Sequence, residues 1–152
     1  MSDIIKKVAI QGIAGCFHDA AARAFFKDEQ IETVPYDSFP EMFEALDSNP
    51  ELIGIVAIEN TIAGSLLANH ELLRKSNQTI VGEHKMRISH VLCALPGEKI
   101  ETITEVNSHP MALMQCEEFI RNYPNLKMIE KFDTAGAAME ISRYRLKGLA
   151  AV

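Results

Sequence analysis

A chain of 152 residues, 47% apolar and 24% charged, offers one ordinary domain or two small lobes with enough apolar surface for a core, which argues against disorder. Its net charge of -6, without a Lys/Arg-rich stripe, argues against a nucleic-acid or anionic-membrane partner, although a local site for an anionic small molecule can oppose that global sign. Three cysteines lacking C-x-x-C spacing argue against a disulfide framework or zinc site and fit a reducing cytoplasm, and neither a signal peptide nor a run long enough to span a membrane is expected.

Val8-Ala9-Ile10, running into Gly12 and Gly15, reads as a strand and its turn, followed by an amphipathic helix from 17 to about 26. Residues 31–36 make the next strand. Ser38 with Glu41 three positions on is a capping-box start, opening a helix to about 47 that Asn49-Pro50 ends. The apolar run 52–58 has the signature of a strand buried on both faces of a parallel sheet, and a helix over roughly 66–75 completes a third βα unit. Beyond Ser76-Asn77 two β-like runs, 79–84 and 88–95, follow with no helix between them, which marks a crossing into a second lobe. Pro96-Gly97 breaks the chain, and residues 103–106 restore a strand. Pro110 at a first helical position opens a helix to about 122, and 126–129 is the next strand. A helix over 134–145, with Gly148 as its stop, leads into a last strand from Leu149. The expected architecture is α/β, with a first lobe over 1–77 and a second over 78–152.

Four polar clusters sit where strands hand over to helices, the place where open α/β sheets bind ligands. Gly12-Ile13-Ala14-Gly15-Cys16-Phe17-His18 is a turn whose amides could face an anion, but it is neither G-x-G-x-x-G nor a phosphate loop; two glycines that merely permit a tight turn read equally well. Cys16 and His18 hint at a thiol and its base, without spacing that puts them in contact. In Glu59-Asn60-Thr61-Ile62-Ala63-Gly64, Asn60 offers a donor and an acceptor, Thr61 can cap a helix, and Gly64 allows backbone to approach a ligand. The bland reading is a cap beside a surface glutamate. Asn107-Ser108-His109-Pro110 supplies an amide, a hydroxyl and an imidazole, with Gln115 two turns into the following helix and Ser108 as N-cap the bland alternative. A Ser108 or Cys16 hydrolase lacks the G-x-S-x-G elbow. Thr134, before Ala135-Gly136-Ala137-Ala138, is a further hydroxyl at a helix start. The remaining histidines lack metal-ligand spacing, and the seven methionines read as core.

Taken in order, these clusters resemble the catalytic domain of the prephenate dehydratase family. The family's Gly-Pro-x-Gly-Thr-Phe-Ser-like turn is matched by Gly12 to His18, with Cys16 and His18 in place of Thr and Ser. Its Pro-Ile-Glu-Asn-Ser-x-x-Gly motif is matched by Ala57-Ile58-Glu59-Asn60-Thr61-Ile62-Ala63-Gly64. Its Ser-His-Pro-Gln-Ala-Leu-x-Gln-Cys motif is matched by Ser108-His109-Pro110-Met111-Ala112-Leu113-Met114-Gln115-Cys116. Its Ser-Thr-Ala-x-Ala-Ala element is similar to Asp133-Thr134-Ala135-Gly136-Ala137-Ala138.

The resemblance implies a two-lobed periplasmic-binding-protein-like (type II) fold, incomplete at its carboxyl end, and loss of carbon dioxide and water from prephenate to give phenylpyruvate in phenylalanine biosynthesis. It assigns substrate contacts to Asn60, Ser108 and Gln115, adds Thr134 as a fourth, and sets Glu59 and Thr61 beside them. It calls for no metal and no organic cofactor. The family's Thr-Arg-Phe motif, whose threonine is its expected catalytic residue, lies beyond Val152, so the catalytic residue is unknown and this chain is expected to be inactive alone. A non-catalytic small-anion binding module of the same fold is the alternative. An uncovered apolar sheet edge points to a homo-oligomer.

Overall fold

A computed structural model describes residues 5–62 and 64–152. Ala63, named above in the Glu59 to Gly64 cluster, and the amino-terminal Met1-Ser2-Asp3-Ile4, on which the expected absence of a signal peptide rests, lie outside the described residues. The chain divides into two compact units, Met1–Arg87 and Ile88–Val152.

The first unit is built on β1 (Lys6–Gln11), the middle strand of a parallel sheet ordered β2-β1-β3. It pairs along its whole length with β2 (Ile31–Tyr36), from Lys6 opposite Ile31 to Gln11 opposite Tyr36. Val8, Ala9 and Ile10 are wholly buried, as befits a strand covered on both faces. Helix α1 (Phe17–Phe25) follows β1, and α2 (Phe39–Ser48) follows β2. The Ser38 hydroxyl accepts the Glu41 N–H at 3.4 Å and Pro40 sits in the first turn, so α2 starts where the sequence places it. Met42, Phe43 and Leu46 of α2 pack on Ala9 and Leu52. Each such side chain contributes about 1.5–3 kcal/mol by burial. Helix α3 (Leu67–Lys75) completes the unit.

The apolar run 52–58 is not the long strand expected. Only β3 (Ile53–Gly54) joins the ladder, opposite Val8 and Ala9, with the Ile55 N–H still reaching the Ala9 carbonyl at 3.0 Å. The chain then leaves the sheet into a small antiparallel hairpin of β4 (Glu59–Asn60) and β5 (Gly64–Ser65). Its apolar residues serve packing instead, with Val56 against the Met42, Phe43 and Leu46 cluster.

The second unit carries a four-stranded sheet made of β6 (Cys93–Ala94), β7 (Glu105–Ser108), β8 (Lys127–Glu130) and β9 (Leu149–Ala151), ordered β6-β9-β7-β8. Strand β7 runs parallel to both neighbours, and β6 is antiparallel to β9. Helices α4 (Pro110–Gln115) and α5 (Glu117–Arg121) cover one face, where Leu113 and Ile120 pack with Val106 and Ala150. Helix α6 (Thr134–Tyr144) covers the other, where Ala137 and Ile141 pack with Ala151. Adjacent Ala150 and Ala151 thus serve opposite faces, the two-residue period of a strand.

Four expectations change in this region. The β-like runs 79–84 and 88–95 contribute only the two residues of β6; Ile80, Val81, Ile88 and Val91 are exposed. β-propensity describes fit to a ladder, and no described strand pairs with 79–92. The helix expected from Pro110 to 122 breaks at Cys116 (φ -99°, ψ 2°), whose N–H is shared between the Ala112 and Leu113 carbonyls at 3.1 Å each. The strand expected over 103–106 lies two residues later, so Asn107 and Ser108 belong to β7 rather than to a turn. Gly148 does not stop α6. Arg145 does, in the left-handed conformation at φ 51°, while Gly148 at φ 73° turns the chain into β9 and accepts the Thr104 N–H at 2.8 Å.

Candidate functional site

Because β7, β8 and β9 are parallel, their carboxyl ends share one edge of the second unit's sheet, and helices α4 and α6 begin there. Such an edge is where an open α/β sheet presents loops to a ligand. Register sets Ser108 opposite Glu130 and Asn107 opposite Ala151. Antiparallel β6 pairs Cys93 with Ala151, so the residues just before Cys93 extend past the same edge.

Ser108 is wholly buried. Its hydroxyl donates to the Val152 carbonyl at 2.6 Å and its own carbonyl accepts the Lys131 N–H at 2.8 Å, so it fastens the strands on either side. The N-cap reading of Ser108 is therefore overturned. His109 caps α4, its Nδ1 accepting the Met111 N–H at 3.2 Å. That bond leaves the proton on Nε2 of an exposed imidazole. Buried Asn107 donates from Nδ2 to the Ala150 carbonyl at 3.4 Å. Gln115, half-buried at the last position of α4, has Oε1 3.0 Å from Nε2 of His90. Thr134 is half-buried at the first position of α6, but the cap is Asp133, whose carboxylate accepts the Gly136 N–H. A Cβ on residue 136 would lie 2.7 Å from the Asp133 Oδ2, so a side chain there makes the capping carboxylate shift. The edge thus gathers Ser108, His109 and Thr134, and His90 brings Gln115 to it.

In the first unit Glu59 is exposed and Asn60 half-buried in the hairpin, where the Asn60 Oδ1 accepts the Ile62 N–H at 2.9 Å. This Asx turn presents Thr61 at the exposed tip. Thr61 caps no helix, because β5 intervenes and α3 starts behind Leu66, which makes no side-chain cap. The hairpin is anchored by a residue the sequence reading missed. Asn69, 5% exposed, donates to the Ala57 carbonyl at 2.8 Å. Its signal was available, since Asn69 shares the helical spacing of the apolar residues Leu66, Leu72 and Leu73.

The glycine turn is occupied by its own chain. The Gly15 N–H donates to Oδ2 of Asp19 at 3.0 Å, and the Thr33 hydroxyl donates to Oδ1 at 2.9 Å. Arg23 donates to the same carboxylate from Nε at 3.2 Å and stands 3.1 Å away through Nη2. Burial of Asp19 opposes its ionisation, but the Gly15 amide, the Arg23 guanidinium and the Thr33 hydroxyl outweigh burial and hold the carboxyl below its usual range. Asp19, 5% exposed, is a second residue missed by sequence reasoning. His18 packs edge-on against Phe39 with ring centroids 5.3 Å apart, and burial lowers its pKa against a backbone hydrogen bond to Gln11. The Cys16 thiol reaches the Gln11 carbonyl at 3.5 Å. Cys16, Cys93 and Cys116 are all free thiols, and burial pushes the Cys116 thiol up. Among the described residues no group of three or more His, Cys, Asp or Glu is placed to hold a metal ion, and no helix is long and apolar enough to cross a membrane.

Comparison with known proteins adds the following. The family model described as prephenate dehydratase matches residues 8–152. Arogenate dehydratase 2 of Petunia hybrida is 38% identical over 148 residues, which cover 96% of this chain and 36% of that protein. Arogenate dehydratase/prephenate dehydratase 2, chloroplastic, of Arabidopsis thaliana is 37% identical over 146 residues, covering 96% and 38%. Among solved structures, GqqA, described as a novel type of quorum quenching acylase, superposes with a TM-score of 0.80 at 30% identity, covering 95% of this chain and 52% of that one. The prephenate dehydratase from Staphylococcus aureus subsp. aureus Mu50 superposes with a TM-score of 0.77 at 23% identity, covering 95% and 53%. The chain therefore spans somewhat over a third of the length of the curated relatives it matches and about half of the solved chains. The α/β, periplasmic-binding-protein-like fold expected from the sequence is borne out.

Proposed function

The chain belongs to the prephenate dehydratase family, and from that premise we propose that it serves a lyase converting prephenate to phenylpyruvate, carbon dioxide and water in phenylalanine biosynthesis. In this reaction the bond to the ring carboxylate breaks and its electron pair enters the ring. The ring C–O bond breaks with its own pair, and one proton turns the departing hydroxide into water. Aromatisation drives the step, so the protein has to hold two carboxylates, orient the ring and assist the leaving oxygen. Neutral hydrogen-bond donors fixed in advance suffice for the holding, and the reading assigns no step to a metal or organic cofactor.

The observation carrying this reading is that Ser108 and Thr134, from two separate family motifs, stand at one edge of one sheet, with Gln115 tied by His90 to the same edge. Substrate contacts are assigned to Gln115 and Thr134 in the second unit, with Ser108, its hydroxyl already donated to the Val152 carbonyl, fixing the strand end behind them. The first unit has its own candidate contact in Asn60, flanked by Glu59 and Thr61. The acid that protonates the leaving hydroxide is not assigned to any of these residues. Relatives named for arogenate make the amino counterpart of prephenate the second substrate to test. A homo-oligomer is proposed on the exposure of Ile80, Val81 and Val91, and a cytoplasmic location on the three free thiols.

The test is calorimetric titration of the purified 152-residue chain with prephenate, with phenylpyruvate formation followed alongside. Saturable binding with turnover close to the spontaneous rate is expected. Absence of saturable binding would overturn the assignment, and rapid turnover would place the acid within these residues. Equally tight binding of unrelated small dianions would favour a small-anion binding module.

A further inference from the structure

His90 belongs to no family motif quoted above, yet its Nε2 lies 3.0 Å from Oε1 of the Gln115 side chain, at hydrogen-bonding distance. Three features hold it there. Cys93 is laddered to Ala151, which sends the preceding residues past the carboxyl end of β9. Leu92 packs into the cluster of Ile103, Val106 and Leu113, which pins the segment beside α4. The Cys93 thiol reaches back to the Val91 carbonyl at 3.6 Å.

The chemistry of the pair sets what Gln115 shows a ligand. A carboxamide presents an oxygen on one side and an NH2 on the other. A ring nitrogen facing the oxygen must carry the proton and donate, and the Gln115 NH2 then points away from His90. In the reversed arrangement a bare ring nitrogen accepts from the NH2, and Gln115 offers its carbonyl oxygen, which repels a carboxylate. For a dianionic substrate the two arrangements differ in sign: one attracts, the other repels.

We infer that His90 is the positioning residue for Gln115, its Nε2–H holding the carboxamide oxygen so that the amide nitrogen faces the substrate carboxylate. This rests on the reading of Gln115 as a substrate donor, and two measurements separate the fates of the two claims. The first needs no ligand. Ring-nitrogen chemical shifts of the 15N-labelled full chain should show His90 with its proton on Nε2; a bare Nε2 with the proton on Nδ1 would overturn the positioning role while leaving Gln115 as a ligand residue.

The second is a double-mutant cycle read by prephenate titration. His90→Phe keeps an aromatic ring but loses the donor, and Gln115→Leu loses the carboxamide. Each single variant should weaken prephenate binding about tenfold, and the pair together also about tenfold instead of about a hundredfold. His90→Gln, which restores an N–H donor, should recover most of the lost affinity. Additive losses, or no rescue by His90→Gln, would overturn the positioning role. An unchanged affinity in Gln115→Leu would overturn the ligand role of Gln115 and this inference with it. Should a variant fail to fold, the ring-nitrogen measurement on the unaltered chain still decides.

Discussion

Replacing Asp19 by Asn tests how the first unit holds its glycine turn. The carboxylate collects the Gly15 N–H at 3.0 Å, the Thr33 O–H at 2.9 Å and the Arg23 guanidinium, and the residue is 5% exposed. Asn keeps the shape. Its oxygen can still accept from Gly15 while its NH2 donates to a rotated Thr33 hydroxyl, so those two bonds survive as neutral ones. The difference between a charge-assisted and a neutral hydrogen bond is about 1 kcal/mol, hence about 2 kcal/mol for the two. Arg23, with 56% of its side chain exposed, returns to water and adds at most about 1 kcal/mol. The expected loss of about 2–3 kcal/mol, about a quarter of a typical domain's stability, is within reach of urea titration. Its sign with pH follows from the carboxyl being held below its usual range in the folded state. Such a group contributes stability above its unfolded pKa, about 3.9, and that contribution is lost as pH falls through the lowered folded value. The gap between the parent chain and Asp19→Asn should therefore be full at neutral pH and shrink in the acid range below about pH 4. A gap that stays constant on acidification would trace the cost to packing, and no gap at neutral pH would refute the network.

Two further substitutions probe the second unit. Ser108→Ala removes a wholly buried hydroxyl bonded to the Val152 carbonyl at 2.6 Å, and a loss of about 1–3 kcal/mol in denaturant unfolding is expected. In a helix interior Gly136→Ala gains about 1 kcal/mol, but here the new Cβ stands 2.7 Å from the Asp133 Oδ2. The thermal midpoint should fall, and a rise would show that the Asp133 carboxylate moves aside at less cost than the helix gains.

Local signals are legible where one stretch of chain decides the outcome. Ser38 with Pro40 and Glu41 marks the start of α2, and the strand and turn from Val8 to Gly15 are placed by a short apolar run and two glycines at φ 96° and 88°. What stays hidden depends on residues far along the chain. Ile53 to Ile58 is apolar enough for a long strand, but only Val8 and Ala9 are available to ladder with it. The runs 79–84 and 88–95 have strand composition, and only Cys93 and Ala94 find a described partner, on β9 almost sixty residues away. Ser108 reads as a turn residue because its pairing with Glu130 is not written locally. The same holds for the candidate site. Its motif residues stand in the sequence, whereas the groups that hold them, His90 for Gln115 and Thr33 for the Asp19 brace of the glycine turn, are 25 and 14 positions from their partners.

Central to this account is that the carboxyl edge of the second unit presents neutral donors to prephenate. Amide and side-chain NH2 resonances of the labelled chain, followed during a prephenate titration, test that claim directly. Saturable shifts at Gln115 and Thr134, with the Ser108 backbone amide responding beside them, are the expected result. Shifts confined to other residues, or none up to concentrations at which nonspecific binding sets in, would contradict it.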